Sequence, residues 1–285
     1  MRAVALICVR NEEALIAHCL DNWRANGCDI VLIDNDSEDR TVDIARGYLG
    51  RGLLSVERQP WTGCFQLREQ LLTKKRLIRE LNHEWVIHSD ADEWLCPPWA
   101  DATLLDGIRR VDAEGFNCIN FIEMVFPPWP DQDFTFADYT RRMKTYYFFA
   151  PQHPHRMLAW RRDLDFDNVE GAGHILTGAG IRLYPTDFIM RHYISLSLDH
   201  AIRKFISRRF DPAELKRGWS SNRVNIAPER LALKPSPYLR QLDRWDAIDF
   251  DRSMPAAKHF WEWNLPVAGL PPAARRKSPN FRVPN

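Results

Sequence analysis

The stretch "AVALICVRNEEALIAHCLDNWRANGCDIVLIDN", residues 3–35, decides the fold. Its first seven residues, Ala3–Val9, are an unbroken apolar run, the pattern of a strand covered on both faces. "EEALIAHCLDNWRANG" follows, with Leu15, Cys19, Leu20 and Trp23 at helical spacing and Gly27 as the stop. "DIVLIDN" then returns to an apolar run. Strand, helix and strand in quick succession imply a right-handed crossover between parallel strands.

Reading outward, the alternation continues. "SEDRTVDIARGYLG" (37–50) predicts a helix capped by Ser37 and ended by Gly50, and "LLSVERQ" (53–59) a third strand. A helix over Cys64 to Leu81 leads into "EWVIHS" (84–89), a fourth strand. Residues 1–98 therefore read as an α/β half with a mostly parallel sheet. Beyond Trp99 the pattern is mixed and loop-rich. It runs through a helix-like "ATLLDGIRRVDAEG", strand-like "FNCINFIEMVF", "KTYYFFA", "HRMLAWR" and "IRLYPTDFIMRHY", and a basic helix "SLDHAIRKFISRRF" (197–210). Residues 99–233 complete one domain of residues 1–233. Residues 234–285 read as an irregular Pro-rich extension, in which Trp245, Phe260, Trp261 and Trp263 argue for docking on the body.

The 285 residues are 45% hydrophobic, enough for a substantial core, and the net charge of +1 gives no global pull toward nucleic acid or an anionic membrane. Six cysteines without a CxxC pair indicate neither a zinc knuckle nor a disulfide framework, and they read as reduced, mostly core residues. The N-terminal apolar run is too short for a leader, and no segment approaches the ~20 apolar residues of a membrane helix. The expectation is a cytoplasmic protein without a transmembrane segment, peripheral association with a membrane surface being left open.

Asp-x-Asp pairs occur six times, but only Asp34/Asp36 and Asp90/Asp92 stand at the carboxyl ends of apolar strands in the α/β half. That edge of an open parallel sheet is where ligands bind. In an extended segment residues i and i+2 point to one side, so Asp90 and Asp92 are expected to converge, and a cation between them relieves their repulsion. Carboxylate oxygens select a hard ion, Mg²⁺ or Mn²⁺, which keeps positions for substrate phosphates. No GxxxxGK[ST] and no GxGxxG after the first strand is present, which excludes a P-loop enzyme and a typical dinucleotide-binding dehydrogenase.

"VRNEEALIAHCLDNWRANGCDIVLIDNDSEDRTVDIA", with Asp34, Ser37, Asp39 and Thr41 in an acidic turn after the second strand, resembles the opening of family 2 glycosyltransferases of the GT-A fold. "HSDADEW" resembles the metal-binding Asp-x-Asp motif of that family. The resemblance covers roughly residues 3 to 95. It implies a GT-A-like sheet and a metal-dependent glycosyltransferase that moves a sugar from a nucleotide-diphosphate sugar to a glycan, lipid-linked or other hydroxyl acceptor, inverting by single displacement. It assigns Arg10, Asn11, Glu12, Asp34 and Asp36 to the nucleotide, Asp90 to the ribose and metal, and Asp92 to the metal directly. For Asp36, helix capping is the competing role.

In the second half the same resemblance points to His192 as a further metal ligand and to Arg203 and Lys204 at the diphosphate; a structural role for His192 competes evenly. The Gly-flanked "DFDNVEGAGHILTG" (165–178) offers Glu170, then Asp167, as general base and His174 as an acceptor or sugar contact, with Glu93 as a further substrate residue. Trp129, Phe134, Phe149 and His153 are aromatic candidates for sugar stacking, with packing the commoner role. Two other functions compete: a nucleotidyltransferase, against which "RNEE" stands where a glycine-rich loop is expected, and a glycosyltransferase-like binding protein without turnover.

Overall fold

The computed structural model describes residues 1–263; the last part of the Pro-rich extension, 264–285, lies outside the described residues. Four strands, β1 (Ala3–Val9), β2 (Asp29–Asp34), β3 (Leu53–Arg58) and β4 (Trp85–Asp90), form a parallel sheet in the order β3-β2-β1-β4. Helices α1 (Ile16–Ala25), α2 (Thr41–Arg46) and α3 (Leu67–Glu80) connect them.

Burial of β1 on both faces follows from its lack of polar residues. Ala3, Ala5, Ile7 and Val9 enter one apolar cluster together with Leu15, Leu20 and Trp23, whereas Val4, Leu6 and Cys8 enter another with Leu77 and Trp160. β2 and β4 divide in the same way, Ile30, Leu32, Trp85 and Ile87 against Val31, Ile33 and Val86. The two-residue period of a strand thus joins two cores through one sheet.

The second half extends the sheet with mixed polarity. β5 (Glu93–Cys96) follows β4 after a two-residue turn, α4 (Leu104–Ala113) is closed by a Thr103/Asp106 capping box, and β6 (Cys118–Val125) is the longest of the strands. After the short α5 (Tyr139–Arg142) come β7 (Thr145–Phe149), β8 (Met157–Arg161) and β9 (Phe188–His192). β8 lies antiparallel between β4 and β6, β9 runs parallel to β6 and antiparallel to β5, and β7 pairs β6. α6 (Leu198–Ile206), α7 (Pro212–Lys216), β10 (Arg240–Gln241) on the edge of β7, and α8 (Phe260–Trp263) complete the described chain. The whole is α/β with a mixed sheet, parallel in its N-terminal half.

Several elements are shorter than the sequence pattern predicts. α2 begins at Thr41, because Ser37 Oγ accepts the Asn11 N–H at 3.0 Å and so does not cap the helix. β9 begins at Phe188, after Pro185 interrupts the strand-like run. α6, started by Ser197 accepting the His200 N–H at 3.1 Å, ends at Ile206, so Arg208 and Arg209 lie beyond it rather than on its last turn. Of the cysteines, Cys8, Cys19, Cys28 and Cys118 are buried, and all six are free. In the extension, Phe260 and Trp261 are buried, Trp263 packs on Tyr147 at 4.8 Å, and Trp245 is exposed with Arg141 over its ring at 4.9 Å. Among the described residues no helix is long and apolar enough to cross a membrane.

Candidate active site

Parallel pairing puts the carboxyl ends of three strands at one level: Val9 opposes Asp34 on β2, and Cys8 opposes Asp90 on β4. The residues immediately after β1 and β2 interlock there. Arg10 donates to the Asn35 carbonyl at 2.7 Å, to the Asp36 carbonyl and to Glu38 Oε1 at 3.0 Å, and its guanidinium stacks on Trp61 at 4.2 Å. Thr41 Oγ1 accepts the Glu12 N–H at 2.7 Å, and Asp39 accepts the N–H groups of Glu13 at 3.1 Å and Thr41 at 2.9 Å. The acidic turn therefore works as a brace for the "RNEE" turn, in which Asn11 takes a left-handed φ of 58°.

That bracing consumes two carboxylates assigned to the nucleotide. Asp34 accepts the Ser37 N–H with both oxygens at 3.2 Å. Asp36 pairs with Arg58 at 2.6 Å and accepts the Trp61 N–H at 2.9 Å, and these bonds, that to Arg58 foremost, hold its carboxyl below the usual range. Arg10, Asn11, Glu12, Asn35 and Trp61 line a cavity of about 670 Å³ at this edge, whereas Asp34 and Asp36 do not line it.

Asp90, Asp92 and Glu93 line the same cavity. They do not share an extended segment: β4 ends at Asp90 and the chain turns before β5, which leaves Asp90 exposed to the cavity and Asp92 buried. Glu93 accepts Ser89 Oγ–H at 3.2 Å and the Asp90 N–H at 3.0 Å, so it ties the turn together. Burial, and then the charge of Asp90, push its carboxyl up to about 7.

β9 brings His192 to this turn. In the ladders His192 lies opposite Glu93 on β5 and opposite Val125 on β6, while Glu123, two residues before Val125, shares the face of Val125. His192 Nδ1 is 2.6 Å from Glu123 Oε1 and its Nε2 is 3.2 Å from Asp92 Oδ2. The fully buried Glu123 also takes Arg156 at 2.8 Å and His155 Nε2 at 3.1 Å. Burial opposes the charge of Glu123, but Arg156 and the two histidines override it and hold the carboxyl well below its usual range. Burial likewise opposes a charged His192, and Asp92 and Glu123 reverse this, lifting the imidazole to about 9. Lys204 from α6 donates to the same Asp92 Oδ2 and to the Ile194 carbonyl.

A divalent ion would fit this pair of donors by displacing the proton that Asp92 and Glu123 hold on the imidazole. A histidine held through Nδ1 by a carboxylate presents Nε2 outward, the arrangement that orients metal-ligating histidines. An oxygen and a nitrogen 3.2 Å apart have the spacing of neighbouring ligands on one small ion. Among the described residues no group of three or more His, Cys, Asp and Glu side chains could hold a metal ion by itself, so an ion at this pair would need further ligands from substrate and water.

Of the other residues singled out from sequence, Arg203, Lys204 and His174 line the cavity. Burial, with Arg156 and His155 nearby, lowers His174 well below its usual value, so its imidazole is neutral. Glu170 and Asp167 are not brought to the cavity. Glu170 is exposed and pairs with Arg217 at 2.9 Å, and Asp167 is tied to Lys75 and to the Val169 N–H at 2.7 Å. The glycines beside them close a tight turn rather than open space for a ligand: a Cβ on Gly171 would lie 2.2 Å from the Ile175 carbonyl oxygen, and one on Gly173, φ 81°, 3.1 Å from His88 Nε2.

Sequence reasoning missed Glu123, Arg156, and the buried pair Lys74 and His88, whose Nζ and Nδ1 are 3.0 Å apart. The available signal was a charge in an apolar context. Glu123 interrupts "FNCINFIEMVF", and Lys74 falls on the Gln70–Leu71–Leu77 face of α3 that is buried.

Residues 4–166 match the family described as Glycosyl transferase family 2. The chain belongs to that family. No curated protein matches it significantly. Solved structures similar to this family 2 chain include S. aureus TarS, 13% identical with a TM-score of 0.40, covering 75% of this chain and 41% of that one. S. aureus TarS 1–349 in complex with UDP is 13% identical with a TM-score of 0.41, covering 82% and 76%. The same fragment in complex with UDP-GlcNAc is 13% identical with a TM-score of 0.39, covering 68% and 59%. The chain thus spans well under half the length of full TarS.

Proposed function

We propose that this family 2 glycosyltransferase binds a nucleotide-diphosphate sugar in the 670 Å³ cavity, with Mg²⁺ or Mn²⁺ at Asp92 and His192, and transfers the sugar to an acceptor hydroxyl. The observation that carries it is the Glu123–His192–Asp92 chain of contacts at 2.6 and 3.2 Å, at the sheet edge where α/β folds bind ligands. The cavity volume suits a nucleotide-sized ligand.

A bound divalent cation would neutralise charge on the diphosphate as it leaves. The chain's own residues do the rest. Arg10, Asn11, Asn35 and the Trp61 ring face the nucleotide side. Lys204 stands at Asp92, where its ammonium meets the diphosphate. His174, held neutral, contacts sugar or acceptor. Single displacement with inversion, the course implied by family membership, needs a carboxylate inside the cavity to take the hydroxyl proton. Glu12 and Asp90 are the cavity carboxylates that accept no side-chain hydrogen bond among the described residues, and that role passes to them from Glu170 and Asp167.

The test is a thermal-shift panel of UDP, GDP, CDP and dTDP, each with and without Mn²⁺. Stabilisation by one nucleotide, larger with the metal, is expected, amounting to about 2.7 kcal/mol at a hundredfold excess over Kd. No stabilisation by any of the four would defeat the proposal.

A further inference from the structure

Two guanidinium groups in the cavity wall make no direct ion pair among the described residues. Arg208 and Arg223 are half-buried, line the cavity, and donate no side-chain hydrogen bond among the described residues. Each rests on an aromatic ring, Arg208 on Phe65 at 4.9 Å and Arg223 on Phe205 at 5.9 Å. Burial, with Arg208 and Arg156 nearby, pulls Arg223 below the usual arginine value against the weaker attraction of Asp92 and Asp90.

The segments that carry them are anchored. The Phe65 N–H donates to the Arg209 carbonyl at 2.7 Å, the Asp211 N–H to the Phe65 carbonyl at 3.1 Å, and the rings of Phe65 and Phe210 meet edge-on at 5.9 Å. On the other side Trp261 Nε1–H donates to the Asn222 carbonyl at 3.0 Å, beside the turn of Ser221–Arg223. The segments bearing both guanidiniums are therefore fixed at the cavity wall, where Arg208 acts on Arg223 through its field. Two like charges kept close and partly dry are costly unless an anion joins them, and a planar guanidinium pair matches the oxygens of phosphate or carboxylate.

We propose that Arg208 and Arg223 form a second anion subsite, which receives an acidic group, phosphate or carboxylate, carried by the acceptor. The proposal rests on the glycosyltransferase reading above. In that reading the donor's diphosphate meets Lys204 at Asp92, and the nucleotide side is built from the ends of β1 and β2. Arg208 and Arg223 come instead from the segment 207–223. An acceptor with an anionic substituent beside its reactive hydroxyl is the ligand class that uses both walls.

The probe is inorganic sulfate, titrated into the full chain by thermal shift and by calorimetry, free and saturated with the stabilising nucleoside diphosphate and Mn²⁺. Wild type is compared with R208Q/R223Q, which cancels the general stabilisation by excluded sulfate. The expected result is saturable sulfate binding that persists in the nucleotide complex and weakens by about tenfold or more in the double variant, with nucleotide affinity changed less than about threefold. R208K/R223K, which keeps the charge, should lose less sulfate affinity and guards against a glutamine variant that does not fold. Competition between sulfate and nucleotide, with the glutamine variant losing the nucleotide, would overturn the proposal in favour of the donor's diphosphate. Sulfate binding that is absent, or equal in wild type and variants, would also overturn it. If no nucleoside diphosphate binds but sulfate still distinguishes wild type from the variants, the glycosyltransferase reading fails while the arginine subsite stands.

Discussion

His192 Nδ1 lies 2.6 Å from Glu123 Oε1, a contact made inside the sheet and shielded from water because Glu123 is fully buried. The carboxylate fixes the imidazole so that Nε2 faces Asp92. Replacing Glu123 by Gln keeps the shape but removes the charge that balances His192 and Arg156 and accepts from His155. Mn²⁺ affinity, measured by electron paramagnetic resonance in the presence of nucleotide, should fall about 10- to 100-fold. Glu123→Ala, which leaves Arg156 buried without a counter-charge, should cost about 3–5 kcal/mol in urea unfolding. Unchanged Mn²⁺ binding in E123Q would reduce the Glu123–His192 contact to packing.

Lys204 occupies Asp92 Oδ2, the oxygen for which a divalent ion bound at the proposed site would compete. In the protein without nucleotide the ammonium neutralises Asp92, and burial of that carboxylate, though it opposes ionisation, is outweighed by Lys204 and His192. Removing the ammonium should make the free site more receptive to a cation and less receptive to a diphosphate. We expect Lys204→Met to tighten Mn²⁺ binding without nucleotide by about tenfold and to weaken nucleoside diphosphate binding by a similar factor, each about 1.4 kcal/mol. Asp92→Asn should abolish Mn²⁺ binding in both conditions. A Lys204→Met protein that binds Mn²⁺ no better than wild type would show that Lys204 does not contest the ion.

The fold of the first half is written in local patterns. Ala3–Val9 and Ile30–Ile33 are apolar at every position because the sheet is covered on both faces, and Gly27 closes α1. The order of the strands and the register that levels Val9 with Asp34 follow from chain connectivity and handedness. The site is legible only in part. Asp92 and His192 stand out as strand-end residues in apolar surroundings, yet they are 100 positions apart, and their partner Glu123 is selected by a pairing of β6 with β9 that no short-range pattern encodes. Glu170 and Asp167 misled for the converse reason. The glycines next to them imply an open loop in sequence, but they serve a turn closed on Ile175 and His88, and nearby Arg217 and Lys75 take up the two carboxylates.

Glu12 carries a pH signature. Its Oε2 is buried without a hydrogen-bond partner among the described residues, and burial, against the attraction of Lys204, raises its carboxyl from 4.5 to about 7. The unfolded chain ionises this group first as pH rises from 4.5. Wild type therefore loses stability between about pH 4.5 and 7, and the full penalty remains above 7, on the order of 3 kcal/mol. Glu12→Gln cannot ionise. Thermal melts without nucleotide should show the two proteins alike at pH 4.5 and the variant more stable at pH 8, the gap opening through the interval. A gap independent of pH would mean that Glu12 ionises as freely in the fold as in the unfolded chain.

Glu214 closes α3 from outside the helix. Its carboxylate, 6% exposed on α7, accepts the Leu67 N–H at 3.0 Å and the Arg68 N–H at 2.7 Å, whereas the helix's own cap residue, Gln66, supplies no side-chain cap. A negative charge on two orphan donors at the positive end of a helix combines capping with dipole stabilisation. The same contact ties the segment bearing Arg208 and Arg223 to the helix whose Lys74 reaches the Ser89 carbonyl at 3.2 Å, next to Asp90. Glu214→Gln keeps one acceptor oxygen and should cost about 1 kcal/mol, and Glu214→Ala about 2 kcal/mol, in urea unfolding. Hydrogen exchange at the Leu67 and Arg68 amides should accelerate in both variants, more in the alanine. If the alanine variant unfolds within about 0.3 kcal/mol of wild type with those amides still protected, solvent or Gln66 has replaced the cap, and the wall of the cavity is held without Glu214 by the Phe65–Phe210 contact and the backbone bonds of Phe65 to Arg209 and Asp211.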